Sequence, residues 1–461
     1  MDLDRFYSSK KYKEMLIADR YYEYDHDILY RVKQTIDSDG NLVDIKNVPN
    51  HKLVDNRFRN LLDQKANYVL SKPLTLDGEN QEYIKELHKI MDSKFLKTLY
   101  LLCKNCYKYG IGWLCIYINK DGELCFKNIN SKEVIPIWAD KEHTELEKVI
   151  RAFNYYDEHN NLIQYQEEYT VEGVTVSIND KITEFKPYLQ KGMDNGKWGI
   201  IPMIPFKCND DELGLLSRVK TLQDALNENL SDYKNDMEQN WRNTIFIVKG
   251  YNPEGEKFRY NLTQYGCVGI DENTDIDTIT VDVNASNYES MANILTKSIL
   301  ENGRGFDSKN EMLGHDPNEM NIQSMYSTID LDANELELEF QSSLIDVIKI
   351  INKYILITKG VDYSEDEVKF IFNRDIMVNE SQAIQDCLAS SSLVSTETML
   401  SKHPFVSNVK TELDRLKKEH LEYEREDIYK EVSKDEVETP APDSIDNRVK
   451  QKQGAKDRQW R

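Results

Sequence analysis

The residues with the most familiar chemistry in this sequence are four of its cysteines. Cys103 and Cys106 have the CxxC spacing found in zinc sites and thiol redox centres. A zinc ribbon needs a second close pair, whereas Cys115 and Cys125 flank a predicted hairpin turn. The first pair lies in an apolar helical stretch, YLLCKNCYKYG. The pattern therefore favours reduced, buried thiols over a metal or redox site.

Other catalytic patterns are weaker still. The eight His are isolated, and the sequence has no P-loop, GxGxxG or GxSxG motif. Carboxylates suited to a two-metal nuclease are plentiful, but 81 Asp and Glu residues form clusters by chance. The acidic run DLDANELELE is typical of a helix surface. We predict no enzyme, no catalytic or metal-binding residue and no cofactor, with a metal-dependent nuclease as the alternative.

Composition limits the remaining possibilities. The chain has 461 residues, enough for two or more domains, and its 59 basic and 81 acidic residues give a net charge of −22. This charge argues against general binding of nucleic-acid phosphates, although it is compatible with DNA that slides past without sticking. No apolar run is long enough for a membrane span, and the N-terminus resembles neither a signal nor a transit peptide. We expect a soluble protein made in the cytoplasm.

A predicted long helix over residues 211–242 carries the most regular charge pattern. Asp224, Glu228, Asp232 and Asp236 are each four residues apart and therefore stack on one face. Roughly opposite lies an apolar stripe with steps of three and four, formed by Leu215, Val219, Leu222, Leu226, Leu230, Tyr233, Met237 and Trp241. Solvation is the ordinary explanation of the acidic face; the functional one is a stripe that repels phosphate along a channel.

Helices precede strands in the first half of the chain. Residues 56–72 predict an amphipathic helix, and residues 80–109 predict two more helical segments. Residues 111–138 predict a hairpin with an Asp-Gly turn, and residues 148–188 continue with strand-like runs. Residues 198–212 predict an extended connector that contains two prolines. This order is typical of an α+β domain.

The second half repeats the alternation around a loop. Residues 243–283 predict a β-rich insert and residues 284–302 a helix. A polar, glycine-containing loop follows over residues 305–318. From Glu319 the pattern is helical to about Thr358, with a bend or break, and its apolar second half is predicted to be buried. A short strand at 367–373 is predicted to return to the sheet of the first domain, and helices follow it.

Several stretches, in the correct order, resemble the portal proteins of tailed bacteriophages, in the form common in phages of Gram-positive hosts. The most specific is LGHDPNEMNIQSMYSTIDLDANELELEFQ, residues 313–341, which resembles the tunnel loop and the long helix after it. NRFRNLLDQKANYVLSK, WGIIPMIPF and STETMLSKHPF resemble an early helix, the run before the first stem helix and the C-terminal segment. The order of long helix, β insert, helix, loop and long helix supports this resemblance independently.

The resemblance implies an α+β, portal-like fold with named parts. The implied ranges are 1–210 for the first part of the wing domain, 211–242 for stem helix 1, 243–283 for a small β-rich clip domain, 284–304 for stem helix 2, 305–318 for the tunnel loop, 319–378 for the long wing helix and returning strand, 379–432 for a helical crown and 433–461 for a disordered basic tail.

The same resemblance implies a structural role and a set of partners. A portal subunit forms a ring of about twelve copies at one capsid vertex. Double-stranded DNA is packaged and ejected through this ring, which docks the terminase large subunit and later the head–tail connector. The major capsid protein and the scaffold are further implied partners, the location is the virion, and no membrane is involved. Another structural head protein is the alternative within this class.

Three groups of residues are candidate sites under this hypothesis. The tunnel loop would contact DNA through Lys309, Asn310, Glu311, His315 and Asp316, of which Lys309 is suited to touch a phosphate. The acidic face at Asp224, Glu228, Asp232 and Asp236 would line the channel. The basic end of the chain, which is either solvated or in contact with packaged DNA, contains Arg448, Lys450, Lys452, Lys456, Arg458 and Arg461.

Overall fold

The structure is a computed structural model, and it describes residues 2–36, 41–44, 49–189, 196–239, 244–249, 275–280, 284–307, 319–374, 380–406, 409 and 411–419. The chain divides into two units, Met1–Met377 and Val378–Arg461. Within the described ranges, no helix is long and apolar enough to cross a membrane.

Helices and strands are mixed throughout the larger unit. Its helices are α1 (Asp2–Ser8), α2 (Lys10–Tyr22), α3 (Arg57–Leu70), α4 (Gln81–Ile90), α5 (Ser93–Tyr109), α6 (Leu216–Gln239), α7 (Ala285–Asn302) and α8 (Glu319–Lys359). Its strands are β1 (Gln34–Ile36), β2 (Leu42–Asp44), β3 (Thr75–Asp77), β4 (Ile111–Ile118), β5 (Leu124–Ile129), β6 (Val134–Trp138), β7 (Leu146–Tyr156), β8 (Leu162–Tyr169), β9 (Val174–Ile178), β10 (Lys181–Lys186), β11 (Met203–Lys207), β12 (Thr244–Lys249), β13 (Asp275–Thr280) and β14 (Lys369–Ile371). The smaller unit contains α9 (Glu380–Ser390) and α10 (Thr396–Lys402).

A three-stranded antiparallel sheet, in the order β11-β4-β5, lies at the centre of the larger unit. The predicted hairpin of β4 and β5 is confirmed, and Gly122 in its turn has a φ of +83°. The predicted connector contains β11, which pairs with β4. Pro205 is tolerated there because β11 is an edge strand, where a missing N–H leaves no ladder bond unmade on the open side.

Both faces of this sheet are buried. Leu114 and Ile116 of β4 contact the core beneath the helices, whereas Trp113 and Cys115 belong to a second core. The second core lies between the three-stranded sheet and a five-stranded antiparallel sheet in the order β10-β9-β8-β7-β6. Successive side chains of β4 therefore point into the two cores in turn, which explains why β4 is a nearly continuous apolar run.

Helix α8 is continuous over 41 residues, so the helix is not broken. It ends before Gly360, whose φ of +71° is the left-handed conformation of a helix C-terminus. Most of its apolar second half is buried as predicted, but Ile345 and Leu356 are 54% and 43% exposed. Phe340 of α8 packs edge-on against Phe206 of β11, with ring centroids 4.9 Å apart.

One predicted connection differs from the structure, and one part of the chain is described only in part. The strand predicted at 367–373 is present as β14, but it pairs with β3 in a separate two-stranded sheet rather than returning to a larger one. In the predicted β-rich insert, β12 and β13 pair antiparallel, while the predicted strand between them lies outside the described residues. The helices α6 and α7 that bracket this insert pack together, with the rings of Tyr233 and Tyr288 5.1 Å apart.

Candidate functional site

One of the three predicted groups of site residues can be examined in the structure. The predicted loop contacts, from Lys309 to Asp316, and the basic end, from Arg448 to Arg461, lie outside the described residues. Their roles therefore stay predictions. The acidic face of α6 is described, and so are the chain segments on both sides of the loop.

The acidic face of α6 contacts other parts of the same chain. Asp224 accepts hydrogen bonds from the Tyr21 hydroxyl and from Lys220, whose Nζ lies 2.7 Å from Oδ2. Asp232 forms an ion pair of 2.8 Å with Arg31. Both carboxylates are consequently part of the attachment of the N-terminal segment to α6.

The other two members of the acidic face differ in their surroundings. Glu228 is exposed to solvent. Asp236 accepts a hydrogen bond of 2.5 Å from the hydroxyl of Tyr288 on α7, and this bond, with burial as a smaller cause, raises the pKa of Tyr288 to about 12. The four carboxylates do share one face, as their spacing predicts, but Glu228 has the most open position.

A second polar stripe on α6 was not predicted from the sequence. Gln223, Asn227, Ser231 and Asn235 are each four residues apart, and each is at most 1% exposed. Their side-chain oxygens accept hydrogen bonds from backbone N–H groups of the extended segment before α3 and of the first turn of α3. The N–H of Phe58 donates to Gln223 at 3.1 Å, that of Asp55 to Asn227 at 3.0 Å, that of Leu53 to Ser231 at 2.9 Å and that of His51 to Asn235 at 2.7 Å. We call these four side chains the polar ladder.

The polar ladder works because two periodicities nearly match. Four residues of a helix rise about 6.0 Å, and two residues of an extended strand span about 6.6 Å. Side chains on successive turns of α6 therefore meet every second N–H of the segment 51–55. The Gln223 amide also donates to the Asp55 carbonyl at 2.8 Å. The sequence does contain a signal for the polar ladder: its three amide residues and one serine are spaced four residues apart, beside the acidic stripe.

His26 closes the buried end of this arrangement. Its Nδ1 lies 2.9 Å from the Asn227 amide nitrogen and its Nε2 lies 3.1 Å from the Tyr21 carbonyl oxygen. Since the amide donates to Nδ1, Nε2 carries the proton and donates to the carbonyl. Burial lowers the pKa of His26, so the ring is neutral in the arrangement that these bonds require.

A cluster of charges lies next to the segment that leads into the loop. Lys65 of α3 is fully buried and forms an ion pair of 2.7 Å with Asp332 of α8. Arg218 of α6 pairs with the other oxygen of Asp332, also at 2.7 Å. The Lys65 ammonium also donates to the carbonyl of Arg304 at 3.1 Å. We call Lys65, Arg218, Arg304 and Asp332 the charged node.

The charged node holds Asp332 in its ionised form. Burial opposes ionisation, but Lys65 and Arg218 outweigh it and keep the pKa of Asp332 below its usual value. Arg304 contributes a third cation, 3.5 Å from Asp332, and also pairs with Glu335 at 3.2 Å. The node thus joins α3, α6, α8 and the turn after α7.

Both ends of the loop are fastened to α3 near this node. Gln64 donates to the Phe306 carbonyl at 2.8 Å on the entering side, and Tyr68 donates to Asp330 at 2.6 Å on the α8 side. The ring of Tyr326 stacks between Phe306, at 4.7 Å, and Tyr68, at 5.6 Å.

The chain before the loop approaches α3 so closely that a side chain there would displace Leu61. A Cβ at Gly303 would lie 2.1 Å from a methyl carbon of Leu61, and one at Gly305 would lie 2.2 Å from the other methyl carbon. The loop therefore emerges from a packed and hydrogen-bonded base.

The cysteines occupy core positions. Cys103 and Cys106 are fully buried in α5, and burial raises the pKa of both thiols. The Cys106 thiol donates to the Phe206 carbonyl at 3.2 Å. Cys115 is buried and Cys125 is half-buried. Across the ranges that the structure describes, no group of three or more His, Cys, Asp or Glu is placed to hold a metal ion.

Comparisons with known proteins identify similar chains. A family model described as "Phage portal protein, SPP1 Gp6-like" matches residues 8–426. A protein named "Portal protein" from Bacillus phage SPP1 is 22% identical over 421 residues, which cover 88% of this chain and 83% of the relative. A "Portal protein" from Clostridium phage phiCD119 is 26% identical over 420 residues, which cover 86% of this chain and 90% of the relative.

A solved structure is also similar. It is titled "Neck of empty GTA particle computed with C6 symmetry", and the match has a TM-score of 0.41 with 12% identity. It covers 74% of this chain and 88% of the chain in that structure.

Proposed function

This chain belongs to the SPP1 Gp6-like family of phage portal proteins, and from that premise we propose that it assembles into a ring of about twelve copies around a DNA channel. The family is structural, and its members are components of the virion. The ring would occupy one vertex of the capsid, conduct double-stranded DNA during packaging and ejection, and dock the terminase and the head–tail connector. The match over residues 8–426 is the single observation that carries this proposal.

The order of elements supports assigning portal parts to this chain. In the proposal, α6 and α7 are the stem helices, β12 and β13 belong to the clip, and residues 305–318 are the tunnel loop. Residues 1–210 and 319–378 form the wing, residues 379–432 the crown, and the capsid protein and scaffold contact the assembled ring. The packed base beneath Phe306 and Tyr326 favours a loop that projects from a fixed point.

The proposed mechanism is electrostatic rather than catalytic. Carboxylates along the channel repel phosphates, so that no counterion-releasing contacts slow the DNA. Asp224 and Asp232 are paired with Lys220 and Arg31, which leaves Glu228 and Asp236 as the members with the largest expected effect. At the loop, Lys309 would touch a phosphate as the duplex passes.

The ring is tested by the mass of the purified chain in solution, with negative-stain images of the same fractions. We expect a particle of about 650 kDa with a central hole, since each chain has a mass of 54.0 kDa. A chain that stays monomeric at high concentration and in the presence of scaffold would contradict the proposal.

The acidic lining is tested separately in assembled particles. Glu228→Gln combined with Asp236→Asn should reduce the length of DNA packaged, because each removes a repulsive charge from the channel wall. Glu158→Gln is the matched control, because Glu158 is an exposed acid on the β7–β8 turn. Equal packaging by both variants would remove the acidic lining from the mechanism and leave the ring untouched.

A further inference from the structure

Two exposed helical stripes in the larger unit have opposite chemistry. On α8, Leu331, Leu338 and Ile345 are 62%, 69% and 54% exposed, and they are seven residues apart. Residues at this spacing lie on one side of a helix, so the three form a single apolar row about 21 Å long. We call this row the α8 stripe.

The surroundings of the α8 stripe are acidic. From Glu319 to Ile348, α8 contains no Lys or Arg, and its acidic residues are Glu319, Asp330, Asp332, Glu335, Glu337, Glu339 and Asp346. Cations of the same chain pair with most of these: Lys65 and Arg218 with Asp332, Arg304 with Glu335, Arg374 with Asp330 and Glu337, and Lys349 with Asp346. Glu335 and Asp346, which flank the row, are 41% and 45% exposed.

Helix α5 presents the complement. It contains no Asp or Glu, and its lysines Lys94, Lys97, Lys104 and Lys108 lie along one side with Leu101, which is 42% exposed. Lys104 and Lys108 already pair within the chain, with Asp63 and Asp19, each at 2.7 Å. Lys94 and Lys97 are exposed, and no carboxylate is paired with them in the described part of the chain. We call this row the α5 stripe; from Lys94 to Lys108 it is also about 21 Å long.

The two stripes belong to two helices that pack on the same face of the three-stranded sheet. Helix α8 packs on the edge strand β11, through Phe340 on Phe206 and through a 2.7 Å bond from Ser343 to the Pro205 carbonyl. Helix α5 packs on β4 and on the other edge strand, β5, where Phe95 meets Phe126 edge-on at 4.7 Å. Because the stripes lie on different helices, a contact between them joins two different surfaces of two copies. Such head-to-tail contacts are the kind that generate rings.

We propose that the α8 stripe of one copy packs against the α5 stripe of the next copy in the ring. The α8 row and Leu101 are then removed from water, and Lys94 and Lys97 of α5 face the carboxylates of α8. The contact rests on the proposed ring, and it names the surfaces through which the ring closes. Its charges set the register and speed the encounter, and its apolar rows supply the adhesion.

Cysteine pairs test the contact on the full-length chain. Leu101→Cys is combined in turn with Leu331→Cys, Leu338→Cys or Ile345→Cys, and the assembled protein is treated with a short bismaleimide. At least one pair should give a series of covalent dimers, trimers and higher species on a denaturing gel. Each single variant, and Leu101→Cys with Leu162→Cys at the start of β8, should give no more than the wild-type chain.

The outcomes separate the contact from the ring. Rings that form normally but give no cross-linked series with any pair would overturn the contact and leave the proposed function standing. A wild-type chain that never forms rings would remove the premise, and the contact with it.

A charge variant provides a second measurement that does not depend on cross-linking geometry. Lys94→Glu combined with Lys97→Glu should raise the protein concentration needed for half-assembly by roughly tenfold or more, because repulsion replaces attraction across the contact. Lys10→Glu with Lys13→Glu is the matched control, since these two lysines are also exposed and three residues apart on a helix. Equal losses of assembly in the two variants would show only the cost of added negative charge and would overturn the proposed complementarity.

Discussion

The polar ladder and the charged node attach α6 to its neighbours by opposite means. The ladder uses neutral side chains that accept backbone N–H groups of the segment before α3. The node uses full charges, with Asp332 shared by Lys65 and Arg218. Both are buried, and both connect residues more than a hundred positions apart in the sequence.

The difference lies in what remains when one partner is lost. Removing a ladder side chain leaves one or two N–H groups unpaired, at a cost of about 1–3 kcal/mol. Removing Asp332 leaves the buried Lys65 without its counter-ion, at a cost of about 3–5 kcal/mol. The ladder is therefore a set of separable bonds, whereas the node functions as one unit. The node lies at the loop base, where two helices and a turn must keep a fixed arrangement on α3.

The largest expected effect is that of breaking the node. Asp332→Ala should lower the free energy of unfolding by about 3–5 kcal/mol. Urea titration followed by circular dichroism, at one fixed protein concentration, measures it. Asp346→Ala is the control on the same helix, because its pair with Lys349 is exposed, and we expect a change within about 0.5 kcal/mol.

Removing both charges of the Lys65–Asp332 pair should lower the free energy of unfolding much less than removing Asp332 alone. Lys65→Met combined with Asp332→Leu removes both buried charges together, so most of the loss seen for Asp332→Ala should be recovered. If the double variant is as unstable as the single one, then the remaining cations and the Arg304 carbonyl, rather than the uncompensated Lys65, explain the cost.

Substitutions in the polar ladder should lower the free energy of unfolding by less than the loss of Asp332 does. Asn227→Ala removes the acceptor for the Asp55 N–H and the partner of His26, and we expect a loss of about 1–3 kcal/mol in the same titration. Glu228→Ala, one residue along the helix and exposed, should change stability by no more than about 0.5 kcal/mol. A loss for Asn227→Ala as large as that for Asp332→Ala would remove the distinction between the two attachments.

The smallest expected effect is the pH dependence of the free energy of unfolding. Because the node lowers the pKa of Asp332 in the folded chain, its stabilisation is complete above the ordinary pKa of an aspartate. It is lost as the pH falls through the lowered, folded value. The stability difference between the wild-type chain and the double variant Lys65→Met with Asp332→Leu should therefore be constant near neutral pH and shrink in acid. Ser231→Ala, which removes a ladder acceptor that does not touch His26, should differ from the wild type by the same amount throughout, and a shrinking difference there would contradict a neutral ladder.

Local patterns predicted most of the elements. The apolar spacing at Phe58, Leu61, Leu62 and Val69 predicted the buried face of α3, and all four side chains are buried. The Asp-Gly turn predicted the hairpin of β4 and β5. Such features depend on residues within one or two turns of each other, so a short window of sequence contains the physical information.

Long-range pairing could not be read in the same way. The extended backbone at Pro205 is a local property, but its place at the edge beside β4 depends on a partner about ninety residues earlier. Likewise, the spacing of Gln223, Asn227, Ser231 and Asn235 shows only that they share a face. Which backbone they bind follows from the packing of a distant segment.

By itself, the sequence determined the helices, the main hairpin, the face shared by the four carboxylates of α6 and the resemblance that the family match supports. Only the tertiary structure decided that Asp224 and Asp232 are paired within the chain, that Lys65 is a buried cation, and that two glycines pack against Leu61 at the loop base. The physical reason is that periodicity depends on neighbours along the chain, whereas burial and ion pairing depend on groups that folding brings together.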